Sequence, residues 1–571
     1  MRASLSARAR LLAWLTAAAP EPSPVATRAL LAAALALGAA LMLVAGTGLS
    51  FSGDELFYFA RLVDREGVIA PYEGAGLEYL LAPHNGHLQL TGKLVYELVF
   101  GVAGADYTVL RAIEVLGVLL CVVAFFLLAK RRVGGLGALA GSVWLLLFGS
   151  AWEVMLWPFD MHTVYALAAG LGALLVLERE GRHADPVACA LLCASVLTIE
   201  LGLSFALGVG ASILARHDRW RRLWVVAVPV ALYASWRAWA SSFEQPSTFL
   251  GLSGLPESLA GSLSAVLASL FGLNPYGAGV YPYAVGLHFW GAALAIIALA
   301  ALGWRLIRGG AGRSTGVLLA VLLGYWSSIA LGGRPPDSSR YLFAGALLVL
   351  LVAADLARGR RLSRLVIATL FVLIAVAVPA NVGKLRDGRH ALLADAWLSR
   401  SGYAMLELAG EGVDPSYAPS TDEQATGVGP VPFFGLEAGT YLAAMERVGS
   451  LAYPLEEVER QVAPVRMVAD VVLVNALELR LRAPAPPLPR CRPVPLASGT
   501  SFEIPPAGAL LRSRVERQLT LRLARFAPES PSASVGALPS REWRLLEIPP
   551  DGAEAPWRGL ADGPLELCPP R

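Results

Sequence analysis

Lysine is almost missing from this 571-residue chain: Lys93, Lys130 and Lys384 are the only three, and arginine supplies the rest of the positive charge. The bias hints at a GC-rich bacterial genome, an association without mechanistic weight. Charge of either sign is scarce at 16% of residues, against 56% hydrophobic residues and a mean hydropathy of +0.56. Soluble domains carry about 25% charged residues, so an ordinary soluble protein is excluded. The net charge of +3 comes largely from short loops between apolar runs, which argues for contact with anionic lipid and not for nucleic-acid binding. There are five cysteines. Cys121, Cys189 and Cys193 lie inside apolar runs and are expected to be small packing residues. Cys491 and Cys568 lie in the polar C-terminal third, where a disulfide and two free thiols are both open. There is no low-complexity tract and no short repeat.

What the chain has in quantity is apolar sequence in blocks. A membrane span needs about 20 mostly apolar residues, and such runs fall near 29–50, 107–129, 133–151, 161–177, 186–200, 201–215, 223–240, 283–304, 314–332, 341–357 and 365–382. The expected fold class is therefore a polytopic α-helical membrane protein with about eleven spans, in which Glu200 divides one long run into two short helices. Lys130–Arg132, Arg179 with Arg182, Arg216–Arg222, Arg305–Arg313 and Arg358–Arg364 fall in alternate loops, which the positive-inside rule puts in the cytoplasm. The N-terminal segment with Arg2, Arg8, Arg10 and Arg28 belongs on the same side. The first run is kept as an anchor, being longer than a signal-peptide core. An odd number of spans then puts the C-terminal region outside a bacterial plasma membrane.

Three regions follow. Residues 1–28 form a cytoplasmic tail with Pro20, Pro22 and Pro24, and residues 29–383 form the transmembrane module. Residues 384–571 form an extracytoplasmic domain of mixed α/β to β-sandwich-like character, β-rich over 490–571. The first outer loop, 51–106, opens on a stretch from Asp54 to Glu66 patterned as an interfacial helix, and Leu88–Phe100 forms a second amphipathic piece. A second outer loop spans about 241–282. In the C-terminal region Ala391–Leu408 and Tyr441–Val448 read as helices. Val471–Val474, Ser501–Ile504, Gln518–Phe526, Glu542–Ile548 and Pro564–Cys568 read as strands.

The polar residues gather at the outer ends of the spans. Asp54 and Glu55 follow the first apolar run. They are either N-terminal charges of the interfacial helix or a pair in which one carboxylate acts as a general base. Pro83-His84-Asn85-Gly86-His87 reads as a turn. Two histidines fall short of the three or four ligands a metal needs, which leaves phosphate contact or a plain loop role. Arg334 and Arg340, in Gly333-Arg-Pro-Pro-Asp-Ser-Ser-Arg-Tyr341, run against the charge bias of the outer face and suit the phosphate of a lipid carrier; snorkelling arginines are the alternative. Tyr58, Glu153, Asp160, His162 and Tyr341 are candidates to line the same outer cavity, and Trp152 and Trp157 suit interfacial anchors. Arg111 and Glu114, three apart, are expected to form a structural pair.

Taken together, Asp54-Glu55, the large first outer loop ending in His84 and His87, and Ser339-Arg-Tyr341 at the head of a late span resemble the GT-C superfamily of polytopic glycosyltransferases. The likeness is to the protein O-mannosyltransferase and aminoarabinose-transferase-like branch, over about residues 25–385. The resemblance implies transfer of a sugar from a polyprenyl-phosphate donor to a glycan, lipid or protein acceptor on the outer face. It implies Asp54 as the acidic residue with Glu55 beside it, and Arg340 as the cation for the carrier phosphate; Arg334, His84 and His87 stay candidates for phosphate contact from their own placement. Displacement in one step would invert the sugar. No Asp-x-Asp opens the loop, so no metal cofactor is assigned, although a divalent ion stays open. The competing readings are a ligase or polymerase acting on polyprenyl-linked glycans, a transporter or flippase, and an inactive scaffold. A transporter calls for ionisable residues at mid-membrane and paired broken spans; here the ionisable residues sit at the span ends.

Overall fold

The computed structural model describes residues 10–63, 77–179, 181, 183–243, 252–273, 289–308, 312–360, 362–419, 436–484, 492–550, 553 and 555–569. The chain forms two compact units, one of residues 1–47, 74–98 and 108–391, the other of residues 48–73, 99–107 and 392–571. Part of the first outer loop is thus grouped with the C-terminal region.

The first unit is helical. Seven helices in the described residues are long and apolar enough to cross a membrane: Pro24–Ala45, Tyr107–Leu146, Pro158–Leu177, Phe289–Ile307, Arg313–Leu331, Ser339–Leu356 and Arg364–Ala409. Ala184–Thr198, Leu201–Leu214 and Leu255–Leu270 are shorter apolar helices. Pro24 opens its helix at the first position, where the missing N–H costs nothing, and Ser23 caps it by accepting from the Ala26 N–H at 3.1 Å. Tyr107–Leu146 contains two of the expected runs, joined at Gly134 with φ 81° and ψ 176°. That conformation belongs to glycine, and a Cβ there would collide with the Glu21 carboxylate, which accepts from the Gly135 N–H at 2.9 Å. The expected outer loop 241–282 contains the helix Leu255–Leu270, whose residues 261–262 and 264–270 are buried. The prolines flanking this stretch read as loop, yet Pro256 sits in the first turn of the helix, where it is tolerated. Leu37, Val44, Ile296 and Ile297 are more than 60% exposed. Apolar faces of that extent on spanning helices suit lipid, and the chain is a multi-pass membrane protein.

One end of this unit is tied together by charge. Arg132 bonds Asp355 at 2.8 Å and Glu178 at 2.7 Å, and Asp355 also accepts from Ser314 at 2.9 Å and Thr315 at 2.6 Å. Arg222 bonds Asp185 at 2.9 Å, Arg305 donates to the Leu356 carbonyl and Arg313 to the Ala215 carbonyl. Ala19 N–H donates to the Leu362 carbonyl at 2.9 Å. The N-terminal segment and the basic loops that the sequence assigns to one side are therefore direct neighbours.

The second unit pairs loop residues with the C-terminal region: Phe59 lies 5.8 Å from Tyr441, and Ala105 N–H donates to the Val448 carbonyl at 2.8 Å. Helices Ala438–Val448 and Ala463–Ala476 precede eight strands in the described residues. The strands are β1 (Val494–Leu496), β2 (Phe502–Glu503), β3 (Ala509–Ser513), β4 (Leu519–Ala524), β5 (Ala533–Leu538), β6 (Trp543–Leu546), β7 (Arg558–Ala561) and β8 (Leu565–Cys568). They form two four-stranded antiparallel sheets, ordered β1-β8-β3-β6 and β2-β7-β4-β5. In β4, Leu519, Leu521 and Leu523 face inward while Thr520 and Arg522 face out. Val471–Val474, expected as a strand, lies within the helix Ala463–Ala476. A short apolar run fits either period, and here Asp470 inside the helix accepts backbone N–H groups of Arg525, Phe526 and Ala527 at 2.8, 2.8 and 2.9 Å. Cys121, Cys189 and Cys193 are free and Cys568 is disulfide-bonded; Cys491 lies outside the described residues.

Candidate functional site

Within the first unit, His84 and His87 face each other across a two-residue hairpin turn, exchanging N–H···O bonds of 2.9 Å in both directions. Asn85 (φ 50°) and Gly86 (φ 81°) supply the two left-handed residues of a type I′ turn. Lys93 holds the approach to the hairpin, donating to the Tyr79 carbonyl at 2.8 Å and the Ala82 carbonyl at 2.5 Å. Trp236 Nε1 donates to the Leu81 carbonyl at 2.7 Å.

Opposite this hairpin side, the segment Trp152–Asp160 is a run of short, wholly buried turns. Its Glu153 carboxylate does two jobs. Oε1 accepts from Arg340 Nε at 3.1 Å and Nη2 at 2.7 Å, while Oε2 accepts from the Arg340 backbone N–H at 3.1 Å and from the Ser339 hydroxyl. Glu153 therefore caps the first turn of Ser339–Leu356 and fixes the guanidinium it pairs with. The guanidinium also lies 5.5 Å over the Trp157 ring. Arg340 Nη1 has no hydrogen bond among the described residues.

His87 Nδ1 pairs with Glu200 Oε1 at 2.7 Å, and Glu200 sits in the tight turn between Ala184–Thr198 and Leu201–Leu214. Burial opposes charge on His87, but the attraction and hydrogen bond of Glu200 outweigh it and raise its pKa, against the fields of Arg334 and Arg340. Burial likewise opposes charge on Glu200, and His87 outweighs it, lowering the Glu200 pKa. His84 is the reverse case: burial, then the charges of Lys93 and His87, push it down to about 3, so it is neutral at physiological pH. The Phe159 ring lies 5.6 Å from His84, 5.0 Å from Trp157 and 5.2 Å from His162. His162 Nδ1, Trp157 Nε1 and Glu200 Oε2 are buried without a hydrogen-bond partner among the described residues. Asp160 acts electrostatically on both Arg340 and Tyr341, and Tyr325 donates to the Tyr341 carbonyl at 3.1 Å. Arg334 is exposed, and its side chain makes no ion pair or hydrogen bond among the described residues.

One electrostatic neighbourhood thus holds His84, His87, Glu153, Asp160, His162, Arg334, Arg340 and Tyr341, all of them sequence candidates, together with Glu200. Ser339, Tyr325 and Lys93 were not on that roster. Ser339 stands at a helix start, where hydroxyls are common, and Lys93 is one of only three lysines; Tyr325 carries no such mark, lying inside an apolar run. Arg111 pairs with Glu114 as expected and donates to the carbonyls of Met42 at 3.0 Å and Met155 at 2.8 Å. Among the described residues no three His, Cys, Asp or Glu side chains are grouped as a metal site requires.

The remaining candidates belong to the second unit. Glu55 is buried and folds back on the chain before the helix, accepting from the Ser52 N–H at 3.1 Å and from the Tyr107 hydroxyl at 3.2 Å. Asp54 is half-buried at the helix N-cap, and its side chain makes no capping bond. Tyr58 is buried. The helix is Glu55–Ala60; of the expected continuation, residues 64–66 lie outside the described residues.

No protein-family model matches the chain, and no curated protein matches it. In structure it is similar to the apo form of ArnT from Cupriavidus metallidurans, at 13% identity and a TM-score of 0.47 over 76% of this chain and 91% of that one. It is also similar to the Archaeoglobus fulgidus oligosaccharyltransferase. The apo form matches at 14% identity and a TM-score of 0.41, over 76% of this chain and 66% of that one. The form tethered to an acceptor peptide containing the NVT sequon matches at 13% identity and a TM-score of 0.40, over 76% and 64%. The likeness in each case is one of fold.

Proposed function

We propose that the chain is a membrane glycosyltransferase of the GT-C kind, moving a sugar from a polyprenyl-phosphate donor to a glycan, lipid or protein acceptor at the extracytoplasmic face. The observation that carries this reading is a half-buried arginine, Arg340, fixed by Glu153 with its Nη1 edge uncommitted among the described residues, among titratable groups at the end away from the basic loops. Such an edge suits an anionic oxygen, and charge that develops on a departing phosphate is best met by a donor already held in place. Arg334, an exposed cation without a pair in the described residues, adds positive potential. His84, being neutral, adds none.

In this scheme Asp54 takes the proton of the acceptor hydroxyl, the acceptor oxygen bonds to the anomeric carbon, and the carbon–oxygen bond to the phosphate breaks with its electron pair. One displacement inverts the anomeric centre. Glu55 Oε2 accepts from the Ser52 N–H and the Tyr107 hydroxyl; Asp54 is assigned the role of base, with Glu55 as its supporting neighbour. The test is transfer of labelled sugar from polyprenyl-phosphate in membranes carrying wild-type protein, Asp54→Asn, Glu55→Gln or Arg340→Ala. Asp54→Asn and Arg340→Ala are expected to lose at least about 100-fold, the scale of a removed base or charge-stabilising donor. Wild-type rates from both at equal expression would sink the proposal.

A further inference from the structure

His-Asn-Gly-His and the carboxylate that interrupts a long apolar run are two separate oddities of the sequence, and the fold makes them partners. The type I′ turn fixes the backbone of His87. Glu200 Oε1 holds His87 Nδ1 at 2.7 Å, and the two carriers are joined again by the 2.7 Å hydrogen bond between the hydroxyls of Thr91 and Thr198. With Nδ1 bound to a carboxylate, the ring orientation is set and the Nε2 edge points away from Glu200, free of hydrogen bonds among the described residues. The His87 side chain is 30% exposed. Arg334 and Arg340 act on this ring from the head of Ser339–Leu356 and the loop before it, His162 from Met161–Leu177, and His84 from across the hairpin with Lys93 behind it.

We propose that His87 is a proton-dependent donor to the phosphate of the lipid-linked sugar, held for that contact by Glu200, so that the site has its full positive charge only while His87 is protonated. This rests on the reading of Arg340 as the phosphate cation. Arg340 is already half-neutralised by Glu153, and an anion bound there gains most from a second cation whose own carboxylate is turned to its far side. The raised His87 pKa carries that second charge to higher pH than an ordinary histidine would keep it, and alkali removes it.

The test uses purified full-length protein and radiolabelled farnesyl phosphate as probe, with Kd measured from pH 5.5 to 9. The ratio of Kd values between variant and wild type cancels the ionisation of the probe itself. For His87→Gln the ratio is expected to be about tenfold at pH 6, the size of one charge-assisted hydrogen bond, and to fall to unity by pH 9. Its midpoint should lie above the ordinary 6.5 of histidine. Glu200→Gln, which keeps the shape of the pair, is expected to move that midpoint to lower pH. Arg340→Ala should weaken binding at every pH while leaving the His87 dependence in place. If Arg340→Ala weakens binding and His87→Gln matches wild type at pH 6, the His87 inference fails and the Arg340 reading stands. Should neither substitution weaken binding, the phosphate site itself is lost, and the inference with it.

Discussion

At the scale of single residues, Glu153 carries the most structural consequence. Its side chain is 1% exposed and bonds a hydroxyl, a backbone N–H and a guanidinium at once. Breaking a buried pair by removing one partner costs about 3–5 kcal/mol, because the other charge is left uncompensated. Glu153→Gln keeps acceptors for Ser339 and the Arg340 N–H but removes the charge, so a fall of about 3 kcal/mol in stability is expected, read as a lower melting temperature of the detergent-solubilised protein. Asp470 makes a parallel case in the second unit. Asp470→Ala would orphan three backbone N–H groups, at about 1–3 kcal/mol each before relaxation. Proteolysis should then open the C-terminal strands at lower temperature than in wild type. Neither residue announces this in the sequence: Glu153 sits between tryptophans that read as interfacial anchors, and Asp470 precedes a run of valines that reads as a strand.

Elements show why local pattern reached only part of the way. Long apolar runs specify helices by length alone, and β4 specifies itself by strict alternation of Leu519, Leu521 and Leu523 with polar neighbours. β1, β3, β5 and β7 have three to six residues and little β-branched content, so only pairing defines them. The joint in Tyr107–Leu146 depends on Gly134; Gly134→Ala forces a side chain into a glycine-only conformation and into Glu21, and a loss of about 1–3 kcal/mol is expected in the same melting measurement. The hairpin 84–87 gives a pH signature. Unfolded His84 takes up a proton near 6.5 while the folded group waits until about 3, so its contribution to stability is lost as pH falls below 6.5. His87 has the opposite sign: its folded pKa is raised, so its contribution is complete below 6.5 and lost as pH rises through the folded value. Melting temperature against pH should therefore lose its acid slope in His84→Gln and its alkaline slope in His87→Gln; unchanged slopes would refute the assignment.

At the scale of the whole molecule, the ion pairs of Arg132 with Glu178 and Asp355 and of Arg222 with Asp185, with the backbone contacts of Arg305, Arg313 and Ala19, collect the basic loops of the first unit at one end. If that end faces the cytoplasm, single cysteines in the loop 216–222 should be labelled by a membrane-impermeant maleimide only from inside, and a cysteine at position 54 only from outside. Labelling of position 54 from inside would overturn the sidedness and the scheme for Asp54. Loop residues 48–63 and 99–107 fold with the C-terminal region in the second unit, so a cysteine in β4 should label from the same side as position 54.

The sequence by itself determined the membrane-bound helical character and the grouping of basic loops, because hydrophobic length and arginine placement act locally and need no partner. It also marked Glu153 and Glu200 as carboxylates beside apolar runs, Arg340 as a cation against the charge bias of the outer face, and His87 as part of a polar turn. Which of these bond to which was decided by tertiary structure alone. Glu153 and Arg340 lie 187 residues apart, and no local period connects a hairpin histidine to a carboxylate between two distant helices. Those pairs form because burying a charge is tolerable only beside its counter-charge, a condition that exists only once the helices have packed.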